Sequence, residues 1–189
     1  MALEIERRFL VQGLAWRRHI RWQAQLQQGY LVANTDDDFT ARVRLATGDE
    51  AVAGAWLTIK ARAEQCLEAL GHLPEGLVRQ EFEYAIPEAD AVALLALTPK
   101  WLSKVRYGLD FPGGEWVLDV FEGANAPLVL AEVELEQQSL EQGLALEPPP
   151  WCGRELTGRH ELSNAALARR PLAIWPEAER LALFNSEID

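Results

Sequence analysis

The chain has 189 residues, 49% of them hydrophobic, which is enough for one well-buried core, and no shift in composition marks a second domain. Its 29 acidic against 18 basic residues give a formal net charge of −11, which repels a phosphate backbone and argues against a nucleic-acid partner. Cys66 and Cys152 stand far apart without a CxxC, and His19, His72 and His160 are equally scattered, so neither a zinc site nor a disulfide framework is signalled. The N-terminus enters a charged segment at once and no run approaches the roughly 20 apolar residues that cross a bilayer, so a cytoplasmic protein without a membrane partner is expected.

Residues alternate with the period of two that marks half-buried strands at Leu3 to Val11, Phe39 to Leu45, Trp56 to Arg62, Val78 to Ile86, Lys104 to Phe111, Glu115 to Phe121 and Leu130 to Leu135. Gln28 to Val32 adds a short strand, for about eight in all. Gly48, Gly54, Gly71 and Gly76 punctuate them, and Phe111-Pro112-Gly113-Gly114-Glu115 reads as a hairpin turn, so the sheet is expected to be mostly antiparallel. Helical patterns are fewer. Pro87 to Leu97 opens with Pro-Glu and carries Ala, Val and Leu on one face, and a second pattern lies around Leu14 to Gln27. Ser139 to Leu144 and Pro176 to Phe184 are further candidates, Ser163-Asn164 can cap a helix running to Arg169, and Pro148-Pro149-Pro150 makes a stiff connection before the C-terminal region.

Sorting the strand residues by parity groups Glu4, Glu6 and Arg8; Arg42 and Arg44; Lys60 and Arg62; Arg79, Glu81 and Glu83; Lys104 and Arg106; and Glu132 and Glu134. Each group shares one face, while Ile5, Val43, Ile59, Phe82, Val105 and Val133 lie on the other. An ordinary solvated sheet mixes Lys, Glu, Thr, Ser and Gln on its wet face. Here nearly every strand supplies a pair of ionisable groups, which points to convergence. Closing the strands into a barrel gathers the charges around one axis, with the apolar faces outside beneath the helices. Charges so enclosed need partners, because uncompensated burial is costly for each ion. A polyphosphate with a divalent metal supplies both signs. Mg²⁺ suits Glu4, Glu6, Glu132 and Glu134 better than any imidazole or thiolate scheme, while arginine forks and lysine point charges suit phosphate oxygens. Ser103 and Thr58 sit beside basic residues but lack a triad partner, Asp36-Asp37-Asp38 reads as a solvated turn, and the tryptophans, including Trp16, Trp56, Trp101, Trp116 and Trp151, read chiefly as packing groups.

The segment Glu4-Ile5-Glu6-Arg7-Arg8-Phe9-Leu10-Val11 resembles the ExExK signature that opens the CYTH domains of the triphosphate tunnel metalloenzyme superfamily. In chain order there follow Gln28-Gly29-Tyr30-Leu31, Arg42-Val43-Arg44, Thr58-Ile59-Lys60, Glu81-Phe82-Glu83-Tyr84, Lys104-Val105-Arg106-Tyr107, Asp119-Val120-Phe121 and Ala131-Glu132-Val133-Glu134. The ordered set spans residues 1 to 168. Arg8 stands where the signature has lysine, and a bulkier, permanently charged guanidinium cannot reproduce every role of an amine. Leu156 to Asn164 also resembles the family's late Thr-Gly…Ser-Asn segment, with a different middle.

The resemblance implies an α+β fold, an eight-stranded antiparallel closed β-barrel with a charged interior and helices packed outside, as a single domain over 1–189 with 169–189 as a C-terminal extension. It implies that Glu4, Glu6, Glu132 and Glu134 hold Mg²⁺ or Mn²⁺, with Glu81, Glu83 and Asp119 as candidates for a second metal. Arg8, Arg42, Arg44, Lys60, Lys104 and Arg106 would bind phosphates, with Arg62, Arg79 and Tyr30 as further candidates. Arg8, Lys60 and Lys104 would be the catalytic cations. The expected activity is that of a short bacterial inorganic triphosphatase acting as a monomer or homodimer. Class IV adenylate cyclase, thiamine triphosphatase and a non-catalytic polyphosphate- or nucleotide-binding module are the alternatives.

Overall fold

The computed structural model describes residues 3–33, 39–62, 78–135 and 145–185. Strands β1 (Leu3–Val11), β2 (Ile20–Ala33), β3 (Phe39–Gly48), β4 (Gly54–Arg62) and β5 (Val78–Ala85) precede helix α1 (Glu88–Ala96). Strands β6 (Trp101–Leu109), β7 (Glu115–Phe121), β8 (Val129–Glu134) and β9 (Cys152–Glu155) follow, then helices α2 (Asn164–Arg169) and α3 (Glu177–Phe184). All strands join one antiparallel sheet in the order β5-β4-β3-β2-β6-β7-β8-β1-β9. The expected helix at Ser139 to Leu144, the Asp36-Asp37-Asp38 turn, Cys66 and His72 lie outside the described residues.

The eight-stranded closed barrel expected from the sequence is corrected. Among the described residues the sheet has nine strands, and β1 meets β5 only through Leu3↔Gln80, Glu4↔Arg79 and Ile5↔Val78. Beyond that point the partner of β1 changes to β9, through Phe9↔Glu155 and Val11↔Cys152. A strand edge offers one row of hydrogen-bonding groups, so positions given to β9 are lost to β5. The result is an open, curled sheet with a concave face rather than eight complete ladders around an axis.

A second correction concerns Leu14 to Gln27, which is not a helix. Ala15–His19 makes a short 3-10 turn, and β2 then runs for 14 residues between β3 and β6. Its Ala, Leu and Gln residues favour helix in isolation, but pairing along both edges overrides that preference.

Parity separates two kinds of packing. On the convex side, Ile5, Phe9, Trp116, Leu118 and Val133 pack with Trp16 and Trp151, and Val43 and Ala55 pack beneath Ala91 of α1. Gly29 permits that helix to lie close, since a Cβ there would stand 2.8 Å from both Leu95 and Thr98. On the concave side, Leu10, Tyr30, Leu102, Phe121 and Leu130 form a core with Leu162, Leu167, Leu172, Trp175 and Leu183. The C-terminal segment therefore fills one end of the curl instead of trailing from it. No described helix is long and apolar enough to cross a membrane.

Candidate active site

Residues paired across an antiparallel ladder present side chains to the same face. The register sets Glu6 opposite Glu134, Arg8 opposite Glu132, Arg106 opposite Asp119, Arg42 opposite Thr58, Thr58 opposite Glu83 and Lys60 opposite Glu81. All of them but Thr58 and Asp119, which are buried in its walls, line a concave cavity of about 490 Å³, bordered also by Glu115 and Asn164. Glu4 pairs in backbone register with Arg79, and Arg79 with Arg62. The side chains of Glu4, Arg62 and Arg79 lie outside the described part of the structure.

One wall, built by β1, β6, β7 and β8, is a continuous ion network. Arg8 forks between Glu6 (2.7 Å) and Glu132 (3.0 Å), and Glu132 also accepts from Arg106 at 2.9 Å. Arg106 donates to both oxygens of Asp119, at 2.8 and 2.7 Å. Asp119 is shared with Lys104, whose side chain is 0% exposed and which also donates to Asn164 at 3.0 Å. Burial lowers Lys104 to a pKa of about 8, opposed by the Asp119 charge. Burial would likewise raise Asp119 and Glu132, but Arg106 and Lys104 hold the first, and Arg8 and Arg106 the second, below the ordinary carboxylate range. For Arg106 the loss of water is outweighed by Asp119 and Glu132, which keep it protonated.

The opposite wall, built by β3, β4 and β5, is less complete. Glu83 accepts from Arg44 at 2.9 Å and from the Thr58 hydroxyl at 2.8 Å, while Thr58 accepts from Arg42 at 3.2 Å. Lys60 stands 3.3 Å from Glu81. The Nε atoms of both Arg42 and Arg44 are buried and find no hydrogen-bond partner among the described residues. Burial, followed by the neighbouring Arg42 charge, lowers Arg44 to a pKa of about 10. A wall holding buried, orphaned guanidinium donors lacks acceptors for them.

Two comparisons place this geometry. The chain is 31% identical over 179 residues to an inorganic triphosphatase of Acetivibrio thermocellus, covering 94% of this chain and 100% of the relative. It is 35% identical over 168 residues to an inorganic triphosphatase of Nitrosomonas europaea, covering 87% of this chain and 96% of the relative. The chain belongs to the CYTH-type inorganic triphosphatase family. The crystal structure of the inorganic triphosphatase NE1496 matches with a TM-score of 0.54 at 32% identity, over 89% of this chain and 95% of that one. The PH1012 protein of Pyrococcus horikoshii OT3 shares the fold alone, at 17% identity and a TM-score of 0.53 over 75% of this chain and 84% of that one. No family model matches.

A tunnel metalloenzyme of this family implies a divalent metal. Glu6, Glu115, Glu132 and Glu134 line the cavity together and offer only hard carboxylate oxygens, the donor type that suits such an ion. Among the described residues no three acidic, His or Cys side chains are already gathered for metal binding, and Arg8 bridges Glu6 and Glu132. The set fits in chemistry, with the Arg8 fork as the contact that an ion has to compete against.

Some site residues of this family member escape the strand parity of the sequence. Asn164 reaches Lys104 from the first residue of α2, and its one signal is the Ser163-Asn164 pair, where Ser163 caps the helix through the Ala166 amide at 3.1 Å. Glu115, the first residue of β7, lines the cavity opposite Glu134 with the parity of Asp119, so alternation does place it, although it stands outside the charged groups sorted from the sequence. The late Thr-Gly segment also touches the signature strand, since the Arg8 amide donates to the Thr157 hydroxyl at 3.1 Å. Tyr30 is buried beside a narrower space that Thr40 and Ser163 also line, and its carbonyl accepts from Thr98 at 2.9 Å.

Proposed function

We propose that the protein hydrolyses inorganic triphosphate to pyrophosphate and phosphate, with Mg²⁺ or Mn²⁺ as its ion. The observation that carries this reading is the pair of orphaned Nε donors on Arg42 and Arg44, buried on a wall that carries more cations than carboxylates. A polyanion supplies the missing acceptors. Arg42, Arg44 and Lys60 bind its phosphate oxygens from one side, and Arg8 and Arg106 from the other. Lys104 supports Asp119, which in turn holds the Arg106 fork in place.

Glu6, Glu132 and Glu134 are the ligands on which the metal assignment rests, joined by Glu4 on the strength of the sequence. The bound ion would offset substrate charge and help to activate a water. In the reaction that water adds to a terminal phosphorus, the bridging P–O bond breaks, and pyrophosphate leaves with its new charge matched by the arginines. No covalent intermediate is required. Thr58 has its hydroxyl engaged with Glu83 and Arg42 and serves as a spacer in the wall.

The test is incubation with tripolyphosphate, ATP and thiamine triphosphate, each with Mg²⁺ or Mn²⁺, measuring phosphate and cyclic AMP. Phosphate released from tripolyphosphate is the expected outcome. Cyclic AMP from ATP without any tripolyphosphate hydrolysis overturns the reading, and tight tripolyphosphate binding without turnover in either metal marks a binding module instead.

A further inference from the structure

A second pocket, of about 230 Å³, shares no lining residue with the charged cavity. It lies between β9, which supplies Arg154, the 3-10 turn at His160–Leu162, which brings Arg159 and Glu161, and α3, which brings Glu179 and Leu183. Its charges divide into matched and unmatched. Arg159 donates to Glu161 at 2.6 Å, and Arg170 to Glu179 at 2.9 Å. Arg154 has no ion pair among the described residues. Its Nη2 reaches the Leu183 carbonyl at 3.4 Å, and its Nε is buried without a hydrogen-bond partner among those residues. A cap on the last turn of α3 thus uses one corner of a group built to hold a planar anion by two parallel bonds, and the rest of its donors go short.

The balance of charge sets the class of ligand. With Arg159 and Arg170 neutralised by their partners, Arg154 leaves a surplus of one positive charge, and Glu161 and Glu179 repel any ion that brings several negative ones. Trp175, Ala182 and Leu183 give the pocket an apolar side, and the indole N–H of Trp175 is fixed on the Arg170 carbonyl at 3.0 Å. A volume of about 230 Å³ falls below the roughly 300–1,000 Å³ of drug-sized sites, so the ligand is small. We propose that this pocket binds a small organic monocarboxylate, its carboxylate forked on the Arg154 guanidinium and its short apolar chain against Trp175 and Leu183. The site is separate from the cavity in its ligand as well as its place, because phosphates carry more charge than it matches. Trp175 and Leu183 also belong to the core that fills one end of the curl, so an occupied pocket ties β9 to that core and stabilises the fold by mass action.

Hexanoate is the probe, and the indole N–H resonance of Trp175 in ¹H–¹⁵N spectra of the intact chain is the readout. A saturating shift with a dissociation constant on the order of millimolar is expected, the scale of one charge-assisted fork with a small apolar contact, together with a higher melting temperature. Hexylamine and orthophosphate at the same concentration should leave the resonance in place. Arg154→Gln is expected to raise the dissociation constant about tenfold or more. Ala182→Leu, which fills the pocket from α3 and leaves Arg154 intact, should do the same, so the test does not depend on how well the first variant folds. No shift in the wild type at about 100 mM hexanoate, an unchanged dissociation constant in either folded variant, or an equal response to hexylamine overturns the site. Orthophosphate binding as tightly as hexanoate overturns the assignment to a monocarboxylate.

Discussion

The two charged walls of the cavity solve the same electrostatic problem differently. On the β1–β6–β7–β8 wall, Arg8, Lys104 and Arg106 are matched within the protein by Glu6, Glu132 and Asp119, and the innermost pair is almost wholly out of solvent. On the β3–β4–β5 wall the acids are more exposed than Asp119 and Glu132, with Glu81 at 21% and Glu83 at 31%, and two arginine nitrogens are left unpaired among the described residues. A self-satisfied network holds its own geometry before any ligand arrives. An under-satisfied one waits for an anion. The first wall is thus a rigid frame, and the second is the surface where substrate charge is most strongly required.

The sharpest way to break this contrast is Asp119→Ala, which strands Lys104 and Arg106 in the interior. Removing one partner of a buried pair costs about 3–5 kcal/mol, to be read from urea unfolding. The matching change on the other wall, Glu81→Gln, is expected to cost under about 1 kcal/mol, as partly solvated pairs do. Equal losses would erase the distinction. Next in size are Arg42→Ala and Arg44→Ala, each removing charge-assisted contacts worth about 1.5–3 kcal/mol. They should raise the KM for tripolyphosphate between about tenfold and a hundredfold while leaving the melting temperature nearly unchanged.

Titration offers a subtler comparison. Lys104, lowered to about 8, is charged below that pH and neutral above it, so turnover should decline as pH rises through about 8. Asp119 and Glu132 are held below the ordinary carboxylate range, so the unfolded chain takes up protons before the native one does as acid is added. Their contribution to stability is full at neutral pH and is lost progressively below about pH 4, which acid-dependent unfolding would measure. The smallest expected effect belongs to Arg8→Lys. A lysine is a point charge that cannot fork between Glu6 and Glu132, so the half-saturating metal concentration should fall severalfold in a steady-state assay. A rise would mean that the fork assists the ion.

How much of this was legible in the sequence depends on the strand. Along β3, β4, β6 and β8 the charged residues sit on the concave face and the apolar ones on the convex face, so alternation alone sorts Arg42, Arg44, Lys60, Lys104, Arg106, Glu132 and Glu134 correctly. In β2 the polarity runs the other way. Its cavity-facing residues are Trp22, Ala24 and Leu26, while Gln23, Gln25 and Gln27 occupy the alternate positions, a composition that reads as a helix until both neighbouring strands are known. The seat of Trp22 on Gly108 joins residues far apart in the chain, and no local pattern announces it. The division of the β1 edge between β5 and β9 was equally hidden, because β9 is only four residues long and follows a proline-rich stretch.

The apolar filling at one end of the curl divides the space inside it unequally. Toward Tyr30 and Thr40 the space shrinks to about 40 Å³ against Ser163 and Ala165 at the start of α2, and Leu172, Trp175 and Leu183 help to fill the core at that end. Glu6, Arg8, Arg42, Lys60 and Asn164 border both this narrow space and the wider cavity, so these polar and charged residues stand at a neck between a roomy compartment and a tight one.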